Sequence, residues 1–188
     1  MLYHKFNKGI WFLVAGCLQL VCIAVLSGSI ATTKYKKDAA MHYGQFIKCP
    51  SSGPPGCANV TDLAILEVSK VATAIQYCLA VFLCSYLFQF GILILTGSAK
   101  YYFSAEVHHH VFNFMIVLSY IQSACGFFGP VLATWCFNDE MEDADWGISM
   151  ALHWVQMPFS FFSFVVVFLT PMYTKDEDFV DDNEIQKV

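Results

Sequence analysis

Arginine is missing from this sequence, and charged residues of both signs make up only 13% of its 188 positions. That charged fraction is about half of what a soluble domain carries, while hydrophobic residues reach 57%. We therefore expect a membrane protein. Its partners should be the lipid bilayer and other membrane proteins, with no nucleic acid among them.

Other absences argue against an enzyme. No two cysteines have the C-x-x-C spacing of a quinone-linked thiol oxidase, and a glutathione-using membrane transferase would be expected to offer arginines. No Asp, Glu or Lys interrupts the central part of any long apolar run, which disfavours a proton-coupled pump or a transporter with a charged midplane site. We expect no enzymatic activity and no cofactor.

Two features resemble metal sites without meeting their geometry. The histidines at 108–110 are consecutive, and successive helical residues point about 100° apart, so the three rings do not converge on one ion. The acidic segment 138–145 lacks the spaced oxygens and turn glycine of a calcium-binding loop. We interpret the first as an interfacial cluster and the second as a solvated loop.

Four apolar runs are each long enough to cross a bilayer, which takes about 20 helical residues. We predict transmembrane helices near 9–31, 71–95, 111–137 and 147–173, in one domain that spans residues 1–188. Loops occupy 32–70, 97–110 and 138–146, and a tail occupies 174–188. The first run lacks a convincing small-x-small cleavage site and is too long for a signal-peptide core, so we expect a retained helix.

The polar interval 32–70 carries two signals of an oxidising compartment. Cys49 and Cys57 flank a segment of Pro, Gly and Ser, residues whose turn conformations bring two strands together. They are also the only two cysteines well outside the predicted helices, so we predict a disulfide between them. Asn59 begins an N-x-T glycosylation sequon. Both modifications require a lumenal or extracellular position.

The topology follows from that interval. If 32–70 lies outside and four helices cross the membrane, both termini and the loop 97–110 are cytoplasmic. The lysines do not decide the orientation, because five fall on each side. We expect a multi-pass protein of the plasma membrane.

The two outer loops have opposite charge. The first contains the basic group Lys34, Lys36 and Lys37. The second contains the acidic group Asp139, Glu140, Glu142, Asp143 and Asp145. These patches can satisfy each other within one molecule, pair head-to-tail between copies, or meet charges on a channel partner. We predict head-to-tail pairing, because the lysines follow helix one while the acids lie between helices three and four.

Several polar residues fall within the predicted helices. His153 and Gln156 are three apart on helix four and share a face. They are candidates for a polar transport path or, more simply, for hydrogen bonds between helices. The candidate partners are Gln19, Gln76, Gln89, Asn113 and Gln122.

This arrangement resembles the claudin superfamily, which includes claudins, peripheral myelin and epithelial membrane proteins and the gamma-type channel accessory subunits. The family motif runs tryptophan, then glycine-leucine-tryptophan, then two cysteines. Here the motif is matched by Gly44, Phe46, Cys49 and Cys57, with Gln45 in place of the leucine and Phe46 in place of the tryptophan. The segment from Trp146 to Trp154, with the closing Pro-Met-Tyr and acidic tail, resembles the PERP-like junctional branch.

The resemblance implies both a fold and a function. The fold is an all-α membrane protein, a left-handed four-helix transmembrane bundle with a small extracellular β-sheet formed mainly by the first outer loop. The function is cell–cell junction or adhesion through the extracellular loops. Two alternatives are an auxiliary subunit that modulates an ion channel or receptor, and a paracellular ion pore. Many claudins carry palmitate on cysteines in membrane-proximal cytoplasmic segments. This sequence differs from them, because no cysteine lies in a predicted cytoplasmic segment.

Overall fold

Four long helices dominate a computed structural model of the protein, which describes residues 2–32, 36–37, 40–50, 56–59, 64–98, 105–140 and 145–173. The helices are α1 (Leu2–Ala31), α2 (Ala64–Leu95), α3 (Ala105–Glu140) and α4 (Ile148–Tyr173). Each contains a segment long and apolar enough to cross a membrane, as in a multi-pass membrane protein.

The first three helices begin earlier than the apolar runs predicted. α2 begins at Ala64 and α3 at Ala105, whereas the runs begin at 71 and 111. Hydropathy identifies only the apolar part of a helix, whereas the helical backbone hydrogen bonds extend beyond that part. At the start of α2 this extension is supported by Lys70, which lies 2.6 Å from Glu67 in an i,i+3 ion pair.

The helices form a ring in which α1 and α3 each pack against both α2 and α4. At the end farthest from the sheet, α1 and α2 approach closely at Gly9 and Gly91. A Cβ on Gly9 would lie 2.5 Å from Leu95 Cγ and 2.9 Å from Gly91 O. Since real side chains do not tolerate such contacts, glycine is required for this crossing.

Two apolar clusters fill the ends of the bundle. The far-end cluster consists of Phe12, Ala15, Leu83, Leu87, Phe90, Phe112, Met115 and Val167. Within it, Phe12 packs edge-on against Phe90 and Phe112, at ring-centroid distances of 5.5 and 5.7 Å. The sheet-end cluster consists of Leu66, Ala133, Cys136 and Phe137, with Tyr43 and Met150 packed against it.

A five-stranded antiparallel sheet covers the end of the bundle at which α2 begins. Its strands are β1 (Lys36–Lys37), β2 (Met41–Tyr43), β3 (Ile47–Pro50), β4 (Ala58–Asn59) and β5 (Asp145–Trp146). The order across the sheet is β4-β3-β2-β1-β5. Four strands come from the first polar interval, in agreement with the expected origin of the sheet.

The fifth strand was not expected. β5 comes from the second polar interval and pairs with β1, with Lys37 opposite Asp145 and Lys36 opposite Trp146. Lys36 and Lys37 therefore lie on the strand next to that of Asp145 in one molecule, a proximity that the head-to-tail prediction did not anticipate. Sequence alone did not reveal this pairing, since two-residue strands carry no periodic signal.

Candidate functional site: a sheet anchored on a buried polar column

The tip of the β2–β3 hairpin enters the bundle. Gly44 N donates to Ile47 O at 2.7 Å and closes the turn, and the side chain of Gln45 is buried at 1% exposure. Gln45 Nε2 donates to Ser69 Oγ at 2.9 Å and to Thr73 Oγ1 at 2.8 Å, both on α2. One glutamine thus fastens the sheet to the bundle.

The bonds continue from α2 to α3 and α4. Ser69 Oγ donates to Gly129 O at 2.7 Å, and Thr73 Oγ1 donates to Ser69 O at 2.9 Å. Thr73 Oγ1 also lies 3.4 Å from His153 Nε2. Because the hydroxyl proton of Thr73 is used on Ser69 O, this contact requires His153 to donate from Nε2.

Deeper in the bundle, amide pairs bridge both diagonals of the helix ring. Gln19 of α1 and Gln122 of α3 exchange two hydrogen bonds, at 2.7 and 2.8 Å. Gln76 of α2 donates to Gln156 of α4. Cys22 lies between the pairs, with its Sγ 3.6 Å from Gln156 Oε1 and 3.9 Å from Nε2 of both Gln76 and Gln122.

Gln156 also supplies a hydrogen-bond donor that α3 lacks. Pro130 has no backbone N–H, so the carbonyl of Gly126, four residues earlier, lacks its usual helical donor. Gln156 Nε2 donates to Gly126 O at 3.1 Å. This bond fixes the orientation of the Gln156 amide, and its Oε1 therefore faces Gln76.

We call this set the polar column. Its members are Gln45, Ser69, Thr73, His153, Gln76, Gln156, Cys22, Gln122, Gln19 and Ser163, which bonds Gln19 Nε2 at 2.9 Å. All but Cys22 are polar side chains that are nearly or fully buried. From His153 to Ser163 the column covers roughly 15 Å of helix, about half the thickness of a hydrocarbon core.

The sequence identified part of this column. His153 and Gln156 lie in the bundle interior and contact other helices, and Gln76 bonds Gln156 as expected. Gln19 and Gln122 are also buried, but they bond each other rather than His153 or Gln156. The expectation for Gln89 and Asn113 is wrong, because both side chains are exposed on the outer surface of the helices. Gln45 was missed as a member of the column. Its signal was a polar residue directly after the turn glycine.

The two faces of the sheet differ in what they contact. Residues directly opposite on antiparallel strands share a face, and Tyr43 packs on the sheet-end cluster. Tyr43 is opposite Lys48, so the face that carries these two residues points toward the bundle. We call the other face the outward face. Its described residues are Asp145, Lys37, His42, Cys49, Ile47 and Asn59.

The predicted site residues are distributed across this sheet and its surroundings. The disulfide between Cys49 and Cys57 is confirmed, and Cys136, near the end of α3, is buried and outside any disulfide. Gly44 starts the hairpin turn and Phe46 is half-buried beside Gln45. Asn59 is exposed in β4.

The charged candidates are only partly brought together. Lys36, Lys37 and Asp145 lie on neighbouring strands of the sheet. Asp139 and Glu140 belong instead to the last turn of α3, so the second outer loop is shorter than predicted. Lys34, Glu142 and Asp143 lie outside the described residues.

Comparison with known proteins found no protein-family model that matches the chain and no curated protein with significant similarity to it.

Proposed function

We propose that this protein is a claudin-like tetraspan protein of the plasma membrane that binds other membrane proteins at cell–cell contacts through its sheet. The proposal rests mainly on the outward face, which points away from the bundle. The polar column, on the bundle side of the sheet, holds this face in position. Exposed Ile47 lies on this face at 41% exposure, and the same face carries the charged register pair Lys37 and Asp145. Protein-binding sites combine an apolar centre with a polar rim, and this face carries side chains of both kinds.

Rigidity is the second support. The disulfide joins β3 to the segment that precedes β4, and Gln45 fastens the hairpin to three helices through Ser69 and Thr73. A surface that is already ordered loses little conformational entropy when it binds. The polar column has a structural part in this proposal, because it maintains the platform on which the sheet rests.

The orientation of the sheet is part of the proposal. A stable disulfide and the Asn59 sequon both suit an oxidising exterior. With the sheet outside, both chain ends and the α2–α3 connection are cytoplasmic. The outward face then projects from the cell toward a neighbouring membrane or a neighbouring ectodomain.

A second candidate is an auxiliary subunit of an ion channel or receptor. The pairing of β1 with β5 favours it over charge-driven self-assembly, because it places Lys37 of the basic group opposite Asp145 of the acidic group within one molecule. In this case the outward face binds the ectodomain of the channel and the helices pack beside its transmembrane helices.

A cell-aggregation assay with a proteomic arm separates the two candidates. Cells without endogenous contacts would express the protein or its Ile47→Asp variant, and an Ala58→Asp variant on the opposite face of the sheet serves as the matched control. Adhesion requires aggregation that Ile47→Asp abolishes and Ala58→Asp preserves. If no aggregation occurs and a channel copurifies in stoichiometric amounts, the auxiliary-subunit function replaces the adhesion function. If neither occurs, both are wrong.

A further inference from the structure

The glycosylation sequon and the exposed isoleucine of the outward face are neighbours. Asn59 of β4 lies directly opposite Ile47 of β3 in the antiparallel register. Residues in this relation share one face of a sheet, and their Cβ atoms lie about 5 Å apart. Both side chains are exposed. A group attached to the side chain of Asn59 therefore begins beside Ile47.

The edge of the sheet gives such a group a single neighbouring strand. β4 is an edge strand, and it pairs with β3. Two positions farther along the same register, the disulfide between Cys49 and Cys57 joins these strands and holds them in place. Ile47 is the exposed large hydrophobic residue of the outward face. Trp146, the other exposed large hydrophobic residue of the described strands, follows outward-facing Asp145 and so belongs to the opposite face.

An N-linked glycan has the shape and the chemistry to cover Ile47. The modification is bulky and solubilising, and its first sugar is bonded directly to the side chain of Asn59. A pyranose ring has an apolar face of C–H groups, so it can lie on an aliphatic side chain while its hydroxyls stay in water. This contact is favourable because it removes part of the exposed surface of Ile47 from water.

We propose that the first sugar of an N-glycan on Asn59 packs on Ile47, and that the glycan thereby regulates access to the outward face. The glycan and a protein partner that binds through Ile47 compete for the same side chain. Chains that carry the glycan then bind weakly, and chains without it are competent. The glycan itself rests on the proposed outer position of the sheet, and the regulated binding step rests on the proposed function.

Position 61 offers variants that change the glycan without changing Asn59. Thr61→Ala destroys the N-x-T sequon, whereas Thr61→Ser keeps an N-x-S sequon. Asn59→Gln is a second glycan-free variant. Endoglycosidase treatment followed by mass measurement establishes the glycan state of each chain, and mass mapping of the Cys49–Cys57 disulfide establishes that each variant is folded. A wild-type chain without glycan overturns the proposal.

Hydrogen exchange of the purified full-length protein tests the packing without any partner. A sugar held on Ile47 ties the edge strand to its neighbour. Thr61→Ala is therefore expected to speed amide exchange in β4 about two- to five-fold, the size of one cross-strand interaction. Thr61→Ser is the matched control and is expected to exchange at the wild-type rate. In an Ile47→Ser background the sugar has no aliphatic side chain to lie on, so Thr61→Ala should change little there.

Two results of this exchange experiment overturn the packing. One is equal exchange in β4 with and without the glycan. The other is the same acceleration by Thr61→Ala in the wild-type and Ile47→Ser backgrounds, which would show that the glycan acts without contacting residue 47.

The cell-aggregation assay tests the regulation. At equal surface expression, Thr61→Ala and Asn59→Gln are expected to aggregate faster than the wild type, and Thr61→Ser at the wild-type rate. Adding Ile47→Asp to Thr61→Ala is expected to abolish the gain. Unchanged or slower aggregation of both glycan-free variants overturns the regulation. If no variant aggregates, the adhesion function is wrong and its regulation falls with it, while the exchange result still decides whether the sugar packs on Ile47.

Discussion

Gln156 Nε2 lies 3.1 Å from Gly126 O, the carbonyl whose usual donor is missing because residue 130 is proline. A side chain of α4 thus completes the backbone hydrogen bonding of α3. Prolines are tolerated in transmembrane helices when neighbouring groups satisfy the freed carbonyl. Gln156 also accepts a hydrogen bond from Gln76. The residue that compensates for the proline in α3 is therefore also a member of the amide pair that crosses the bundle.

Replacing Gln156 by leucine is expected to destabilise the protein. The change leaves Gly126 O and the Gln76 amide without their partner, at a cost of about 1–3 kcal/mol. Thermal unfolding in detergent, followed with a dye that reacts with newly exposed buried thiols, measures the effect. Asn113→Leu is the matched control, since the side chain of Asn113 is exposed on the outer surface of α3.

A double-mutant cycle isolates the proline contact. In a Pro130→Ala background, residue 130 regains an N–H that can bond Gly126 O, so Gln156→Leu is expected to cost less there than in the wild type. The difference should be near 1 kcal/mol, typical of one interhelical bond. An equal cost in both backgrounds would show that Gln156 does not compensate for the proline.

Gly126→Ala is expected to destabilise, whereas Gly28→Ala should not. A Cβ on Gly126 would lie 2.6 Å from Gln76 Nε2 and 3.0 Å from Ser160 Oγ, inside the polar column. A Cβ on Gly28 meets only Leu152 Cδ1, at 3.3 Å, the end of a flexible side chain. Overpacking at the first site should cost about 1–3 kcal/mol, while alanine at the second is neutral or gains helix propensity. Unfolding midpoints that fall equally for both variants would contradict this account.

The four spanning helices were predictable because hydrophobic length is a strong signal, and the disulfide was predictable because turn formers separate Cys49 from Cys57. The sequence did not show that Gln19 points into the bundle and Gln89 away from it. Both are glutamines within apolar runs, and neither of their helices has a clear polar face. β5 was hidden for another reason. Its pairing with β1 joins residues more than one hundred positions apart, and only the folded bundle brings them together.

Gln45 is expected to control the docking of the sheet. Gln45→Ala removes the donor to Ser69 and Thr73 and leaves space at a buried position. We expect a loss of about 1–3 kcal/mol that appears mainly as faster amide hydrogen exchange in the β2–β3 hairpin. Ile47→Ala, at an exposed position of the same hairpin, is the control. Unchanged exchange in the hairpin of Gln45→Ala would show that the disulfide and Tyr43 hold the sheet without it.

Asn59 is expected to carry an N-linked glycan. The residue is exposed in an edge strand and lies on the outward face, away from the bundle. Asn59→Gln should remove an endoglycosidase-sensitive mass shift without loss of the disulfide. Under the proposed topology, antibody tags at either end of the chain stay hidden in intact cells. A surface-accessible terminal tag, or an endoglycosidase-resistant wild type, would contradict that orientation.

The pairing of β1 with β5 makes a prediction that separates charge pairing within one molecule from pairing between copies. Lys37→Glu places a second carboxylate opposite Asp145, and like charges on opposite strands are destabilising by roughly 0.2–1 kcal/mol. We expect faster hydrogen exchange at Asp145 and Trp146, and recovery when Asp145→Lys is added to the same chain.

Co-expression of Lys37→Glu chains with separate Asp145→Lys chains provides the comparison. If the charges pair within one molecule, mixing the two singly substituted chains restores nothing, because each chain keeps its own like-charged pair. If mixing restores exchange to the wild-type rate, the charges act between copies, and head-to-tail assembly replaces the intramolecular account.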